Sequence, residues 1–328
     1  MARSSRPAGN PALSQSRRRL RHRRRDRLAA FRSPAVQHGR PDPGQHPAQL
    51  CLARLPHHFR QCRGRNRHYP RRHDRAAGGP ACRHRPGYPS NIPRHLGRVG
   101  APAEQVELWR DANPAVELSQ AVGEPVEWFN DGNAGCWAEF LSRPEPRPSG
   151  LAYFQVGTMI GAGVALNGQL WQGRTGNAAN LGAILVPDIK GQPNYVHTIA
   201  SILALQQRLE ASGSRLPPGD PMNWDWASLE PVASAWLDDA GRALAGAVLN
   251  TRAVMELDLA IIDGVMPRPV VRRLFERVEH HLAAMPHFRT DRPSVVMGHL
   301  GGGAAASGAA QLLLFHCFFS RAWNIFAT

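Results

Sequence analysis

The chain has 328 residues, 42% of them hydrophobic, and a formal net charge of +15; it is long enough for two domains, and with no run of about 18 apolar residues no membrane-spanning helix is predicted. The charge is lopsided: residues 1–100 hold 24 Arg, no Lys, no Glu and three Asp, whereas all eight Trp lie after residue 108. The five Cys form no C-x-x-C pair, which indicates neither a disulfide framework nor a zinc ribbon, and the basic start lacks the apolar stretch of a secretory signal, so a cytoplasmic location is expected.

Residues 1–104 show no sustained apolar period of 2 or 3.6. Runs such as SRRRLRHRRRDR and GGPACRHRPGYP are rich in Arg, Pro, His and Gly. They carry too little apolar surface to offset a chain entropy of ~1–2 kcal/mol per residue, so this segment is predicted to form no compact domain. Three readings compete. A basic arm would neutralise phosphates. A metal site could draw on His57, His58, Cys62, His68, His73 and Cys82, although their spacing follows no recognisable ligand pattern. Translation outside the natural frame of a GC-rich gene would account for the total absence of Lys and Glu.

From about Ala101 the texture becomes that of a folded domain, taken here as 105–328. A helix is predicted over 113–122, stopped by Gly123, and PVEWF (125–129) reads as a short strand entering an Asn-Asp turn. In WFNDGNAGCWAEF (128–140), Asp131 is placed to cap a helix from Asn133 onward, with Ala134, Trp137, Phe140 and Leu141 on one face. RPEPRPSG (143–150) is a loop. Next come an apolar strand (151–156), a Gly-rich turn (157–163), a second strand (164–166) and an Asn-Gly hairpin signal at 167–168. An amphipathic helix over 197–213 ends at Gly213, a loop covers 217–226, and a long helix runs from about Ser228 to Met255. A buried-type strand (257–264), a helix (268–285), a last strand (294–298) and a helix of small residues suited to close packing (302–319) complete a mixed α/β order.

Two features point to chemistry. An aspartate at a strand end can take a proton from an alcohol, and an adjacent amide can hold neighbouring sugar hydroxyls. Glycines let backbone N–H groups approach a phosphate. Asp131 with Asn130, together with the glycines of 157–163, therefore form a pattern that phosphoryl transfer to a sugar would need. For the glycines alone, a tight turn between paired strands is the simpler reading.

The blocks PVEWFNDGNAGCWAEF, YFQVGTMIGAGVALNGQLWQGRTGNAANLGAI, HTIASI, AIIDG and GAAQLLLF occur in the order that resembles the ROK family of sugar kinases and sugar-responsive repressors, over roughly residues 105–320. The resemblance implies an actin-like, ribonuclease-H-like α/β kinase fold with its N-terminal lobe incomplete. It implies that Asp131 is the catalytic base and Asn130 a sugar ligand. It places Gly157, Thr158, Gly161 and Gly163 in a phosphate motif, and Asp263 and Gly264 where the family has the Gly-Gly that approaches adenosine. Four departures follow. The family's N-terminal Asp-x-Gly-Gly-Thr phosphate loop does not occur in residues 1–100. In the Glu-x-Gly-His position the chain reads NLGA, so Asn180 stands for the sugar-binding Glu and Ala183 for His. The zinc loop is replaced by GQPNYVHTIAS, so no metal is expected, and His197 stands near a sugar-binding Glu of the family, as a sugar ligand or as a helix-capping or surface His. Asp263 sets a negative charge near the expected nucleotide.

The resemblance thus implies a sugar-binding, kinase-like domain from a sugar-responsive transcriptional regulator, with kinase activity weak or lost. The alternative is an ATP-dependent sugar kinase of glucokinase or fructokinase type with Asp131 as general base. ATP and Mg2+ are cofactors only under that alternative. A small-molecule sugar is the expected partner, and DNA is one only if a winged helix-turn-helix lies upstream in another frame. No membrane partner is expected, and the intact family member is expected to be a homo-oligomer.

Overall fold

The computed structural model describes residues 113–123 and 128–318 except 287–293, with the single positions 103, 110 and 126. The Arg-rich segment and its His57, His58, Cys62, His68, His73 and Cys82 cluster lie outside the described residues, as do 125 and 127 of the expected short strand, of which Val126 and Phe129 make isolated bridges.

Helix α1 spans Pro114–Val122 and stops at Gly123, whose φ of 77° and 2.9 Å bond to Ser119 O make a left-handed end. Helix α2 spans Asp131–Leu141. Its cap is Asn130, not Asp131: Asn130 is extended and its Oδ1 accepts the Asn133 N–H at 3.0 Å, so the helix begins two residues earlier than the sequence suggests.

Strands β1 (Gly150–Val156), β2 (Ile160–Leu166) and β3 (Gln169–Leu170) form an antiparallel meander, and β6 (Leu259–Gly264) and β7 (Ser294–Met297) extend it on the other side in parallel, in the order β3-β2-β1-β6-β7. The turn between β1 and β2 is only 157–159, because Ile160 already pairs with Val156; Gly161 and Gly163 lie on a strand rather than in a turn. The parallel pair β6-β7 requires a crossover, which is helix α6 (Arg268–Ala284). A separate hairpin of β4 (Leu185–Pro187) and β5 (Pro193–Tyr195) was not evident from the sequence: each arm has only three residues, two of the six are proline, and so no alternating pattern marks it.

Side chains alternate across the sheet, and each face buries a different set of helices. Leu151 and Tyr153 of β1 and Ile261 of β6 join Trp137 and Phe140 of α2 and Leu312 of α7 (Ala304–Phe318). Ala152, Phe154, Val156, Ala260 and Ile262 face the other way, onto Trp236, Leu244 and Val248 of α5 (Val232–Met255) and Val271, Leu274 and Val278 of α6. Each large side chain so buried contributes roughly 1.5–3 kcal/mol. The small residues of α7 do permit close approach: a Cβ on Gly308 would lie 1.7 Å from Ala134 O of α2.

Two helices differ from their expected bounds. The segment 197–213 breaks into α3 (Val196–Ala200) and α4 (Ile202–Ala211), because Ser201 is extended and its hydroxyl caps Ala204 N at 3.2 Å. Helix α5 starts at Val232 rather than near Ser228, because Pro231 drives Glu230 out of the helical region to ψ 150°.

Asp258 fastens the start of β1. Its Oδ2 accepts Ser149 N at 2.8 Å, Ser149 Oγ at 2.6 Å and Gly150 N at 3.0 Å. These bonds, that of the Ser149 hydroxyl first, hold the Asp258 pKa below its ordinary 3.8. A lowered carboxylate contributes stability above its unfolded pKa and loses it as pH falls through the folded one. Asp258→Asn is therefore expected to cost about 1 kcal/mol near neutrality, since the site is exposed and screened, with melting curves converging as pH drops below 3.8. A gap between the two proteins that stays constant with pH would show that Asp258 does not act through its charge.

Candidate functional site

The site is built on the seam between the first turn of α2 and β2. Gly132 crosses β2 so closely that a Cβ there would lie 2.3 Å from Ala162 N and 2.4 Å from Ala162 O. One turn on, a Cβ on Gly163 would lie 2.5 Å from that of Cys136 and 3.0 Å from Gly132 O. A Cβ on Gly161 would stand only at ordinary contact, 3.6 Å from Gly132 Cα. Glycines 132 and 163 thus exist for backbone packing, and the packing sets Gly132, the residue after Asp131, beside Gly161. Asp131 is half-buried on the first residue of α2, and its Oδ1 accepts the Gly132 N–H at 2.9 Å. The helix N-terminus favours the ionised carboxylate there.

The 157–159 turn is fixed by its carbonyls. Gly157 O accepts Ile202 N at 2.8 Å and Thr158 O accepts Leu203 N at 3.3 Å, both from the first turn of α4. This is why the helix breaks at Ser201: a continuous helix would have no free N–H groups to offer here. The N–H groups of Thr158 and Met159 make no bond among the described residues, and Thr158 is exposed, so the turn can offer donors to an oxygen ligand.

His197 is neither a surface residue nor a cap. It is 7% exposed. Its Nδ1 lies 3.1 Å from Ile160 N and its Nε2 3.2 Å from Asn180 Oδ1. The ring lies against Gly182, where a Cβ would approach Cε1 to 2.3 Å. Asn180 itself is exposed. A second tie holds the same loop: Asn133 Nδ2 donates to Gly176 O at 3.1 Å. Sequence reasoning thus selected Asn180 and His197 singly, and the structure brings them together against Ile160 of β2. Ala183, at the position of the family's His, is exposed at the end of the short 181–183 helical turn.

The opposite end of β1 and β6 is organised by carboxylates. Asp263 is fully buried, its charge facing inward rather than toward an open nucleotide surface. Oδ1 accepts Gly264 N at 2.9 Å and lies 3.3 Å from Arg268 Nη1, and Oδ2 accepts Gly301 N at 2.8 Å. Burial raises its pKa above 3.8, against the two N–H groups, which lower it. Gly298 makes room, since a Cβ there would lie 2.6 Å from Asp263 Oδ2. Glu139 of α2, also fully buried, accepts His299 N at 2.8 Å and Leu300 N at 2.9 Å on Oε1, while its Oε2 pairs with Arg143 at 2.7 Å. Gln155, opposite Asp263 across β1 and β6, donates from Nε2 to Gly301 O at 2.7 Å. Three consecutive N–H groups of the loop before α7, those of His299, Leu300 and Gly301, are therefore taken by the protein's own carboxylates. Glu139, Gln155 and Gly298 were missed in the sequence. Glu139 left a signal: a lone acid between Trp137 and Phe140 on a helix of apolar residues.

A five-stranded sheet in this order, three strands antiparallel and two parallel, with helices on both faces and an Asp at the α2–β2 seam, is that of the actin-like ATPase class of sugar kinases and their kin. The ROK family model matches residues 101–315, and the chain belongs to the ROK family. It is 32% identical over 154 residues to an N-acetylmannosamine kinase of Vibrio vulnificus (strain YJ016), covering 45% of this chain and 52% of that protein. It is 28% identical over 221 residues to a bifunctional enzyme NanE/NanK of Brucella melitensis, covering 63% of this chain and 40% of that one. The chain thus spans about half the length of the curated relatives it matches. The fold is shared with a ROK family protein of Streptococcus pneumoniae TIGR4 solved in complex with sucrose, at a TM-score of 0.53 and 19% identity over 86% of this chain and 92% of that one. No helix among the described residues is long and apolar enough to cross a membrane.

Proposed function

We propose that residues 105–328 form a sugar-binding, kinase-like domain of a sugar-responsive transcriptional regulator, in which ATP-dependent phosphorylation is weak or lost. Residues 1–104 stand outside that domain, as a segment read in another frame. Asn130, Asp131 and Asn180 contact the sugar, and His197 holds Asn180 in place. The name of the N-acetylmannosamine kinase relative supports a sugar as the ligand class. The cytoplasm is the location, a homo-oligomer the assembly of the intact family member, and DNA a partner only if a winged helix-turn-helix lies upstream in another frame.

The observation that carries the loss of kinase chemistry is the loop before α7. The resemblance sets the nucleotide near Asp263 and Gly264, and the adjoining N–H groups of His299, Leu300 and Gly301, which could otherwise meet it, already bond to Glu139 and Asp263. Those three groups are not open to a nucleotide phosphate. The second reading, an ATP-dependent sugar kinase using Mg2+, draws on the N–H groups of Thr158 and Met159 in the 157–159 turn, which make no bond among the described residues.

Titration calorimetry of the full chain with a panel of hexoses and N-acetylhexosamines, together with a coupled ADP-release assay, tests the proposal. The expected result is a binding isotherm with at least one sugar and ADP release at background. Robust ATP-dependent phosphorylation would replace this reading with the kinase one. Absence of binding to every sugar would overturn both.

A further inference from the structure

The hydrogen-bond polarity of Asn180 is fixed by a chain of contacts that begins in the backbone. Ile160 N–H is a donor at every pH. His197 Nδ1, 3.1 Å away, must therefore be the bare nitrogen of the ring. A neutral imidazole then carries its proton on Nε2, which donates to Asn180 Oδ1 at 3.2 Å. The amide cannot be turned over, because Nδ2 in the place of Oδ1 would set two donors against each other. Asn180 is left with Nδ2 and its two hydrogens, which make no bond among the described residues, on an exposed side chain.

The loop that carries this group is anchored to the α2–β2 seam at two points, through Gly176 to Asn133 and through Asn180 to His197 and Ile160. Ala179, directly before Asn180, holds φ 59°, a left-handed conformation that costs an alanine energy and persists only where its surroundings impose it. The side chain is thus set in one orientation by His197.

We infer that position 180 reads its ligand as a hydrogen-bond donor, so that the bound sugar presents there an acceptor oxygen, a hydroxyl or carbonyl addressed through its lone pair. A carboxylate at this position, as the resemblance implies for the family, can only accept. The two groups make opposite demands on the same sugar atom. This inference rests on the sugar-binding reading above. His197 is a positioning residue in it: it selects which end of the amide faces the ligand without touching the ligand.

The test uses deoxy and deoxyfluoro analogues of whichever hexose binds the full chain. Fluorine keeps a weak acceptor and removes the donor. At one ring position the deoxy sugar is expected to bind about tenfold more weakly than the parent, and the fluoro sugar within about threefold of it. In Asn180→Asp, which turns the contact into an acceptor, the fluoro sugar is expected to fall as far as the deoxy one at that position. If the fluoro sugar falls with the deoxy sugar at every position and Asn180→Asp leaves the ranking unchanged, the polarity assignment is wrong while sugar binding stands. If no parent sugar binds, the sugar reading itself is wrong, and this inference goes with it.

Discussion

Gly132→Ala is expected to abolish sugar binding and to lower the melting temperature by several degrees. The added methyl would meet Ala162 N at 2.3 Å and Ala162 O at 2.4 Å, both backbone atoms of β2 that cannot swing aside. Relief requires α2 to lift off the strand, at about 1–3 kcal/mol for overpacking of this kind. Because α2 begins with Asp131 and is capped by Asn130, any lift displaces both at once. The neighbouring glycines provide the controls. Gly163→Ala meets Cys136 Cβ at 2.5 Å and should behave like Gly132→Ala, whereas Gly161→Ala finds only a 3.6 Å contact and should melt with the wild type. Circular dichroism melts and calorimetry on the three variants check the pattern. If Gly132→Ala melts with Gly161→Ala, α2 does not rest on β2 through Gly132.

That contrast also shows what a sequence can and cannot convey. The strand cores were legible because β1 and β6 are runs of apolar residues bounded by turn signals, and the Asn-Gly pair at 167–168 marked its turn, where Asn167 takes φ 49° and Gly168 φ 73°. The glycines of 157–163 were visible as a group, but their separate reasons were not. Gly157 turns the chain, while Gly163 makes room for a helix that lies 27 residues earlier in the chain. Such a contact leaves no local trace. The break at Ser201 was hidden for the same reason: the apolar period of 197–213 is helical throughout, and only the bonds from Ile202 and Leu203 to the distant 157–158 carbonyls explain the interruption. Asp131 stood out by its turn chemistry and its motif, yet the capping role fell to Asn130, because either residue of an Asn-Asp pair satisfies the same local rule. Asp263 was legible as a misplaced charge. That its carboxylate points inward, into the N–H groups of Gly264 and Gly301, depends on a loop 38 residues away.

The separation of cap from carboxylate makes a second large effect measurable. Asp131→Ala is expected to weaken sugar binding by ~1–3 kcal/mol, the usual cost of losing a charged hydrogen bond, while leaving the fold almost intact. The cap of α2 is supplied by Asn130, whose Oδ1 holds Asn133 N at 3.0 Å, so the helix keeps its anchor when the Asp131 carboxylate is removed. What is lost on the folding side includes the bond to Gly132 N and the favourable charge at the helix N-terminus, together about 0.3–1 kcal/mol. Asn130→Ala, by contrast, should lower stability by about 1 kcal/mol as well as binding. Turnover divides the two functional readings. A carboxylate acts as general base only when a phosphoryl group is held in line with the sugar hydroxyl. On the proposed reading, with the N–H groups of the loop before α7 bonded to Glu139 and Asp263, Asp131→Ala should leave ADP release at the same background as the wild type. In a working kinase the same substitution would remove base catalysis, a loss of roughly 10²–10⁴ in rate. Binding that falls while turnover stays flat identifies a sugar-sensing domain in which Asp131 remains as a ligand for the hydroxyl it would have deprotonated in a kinase.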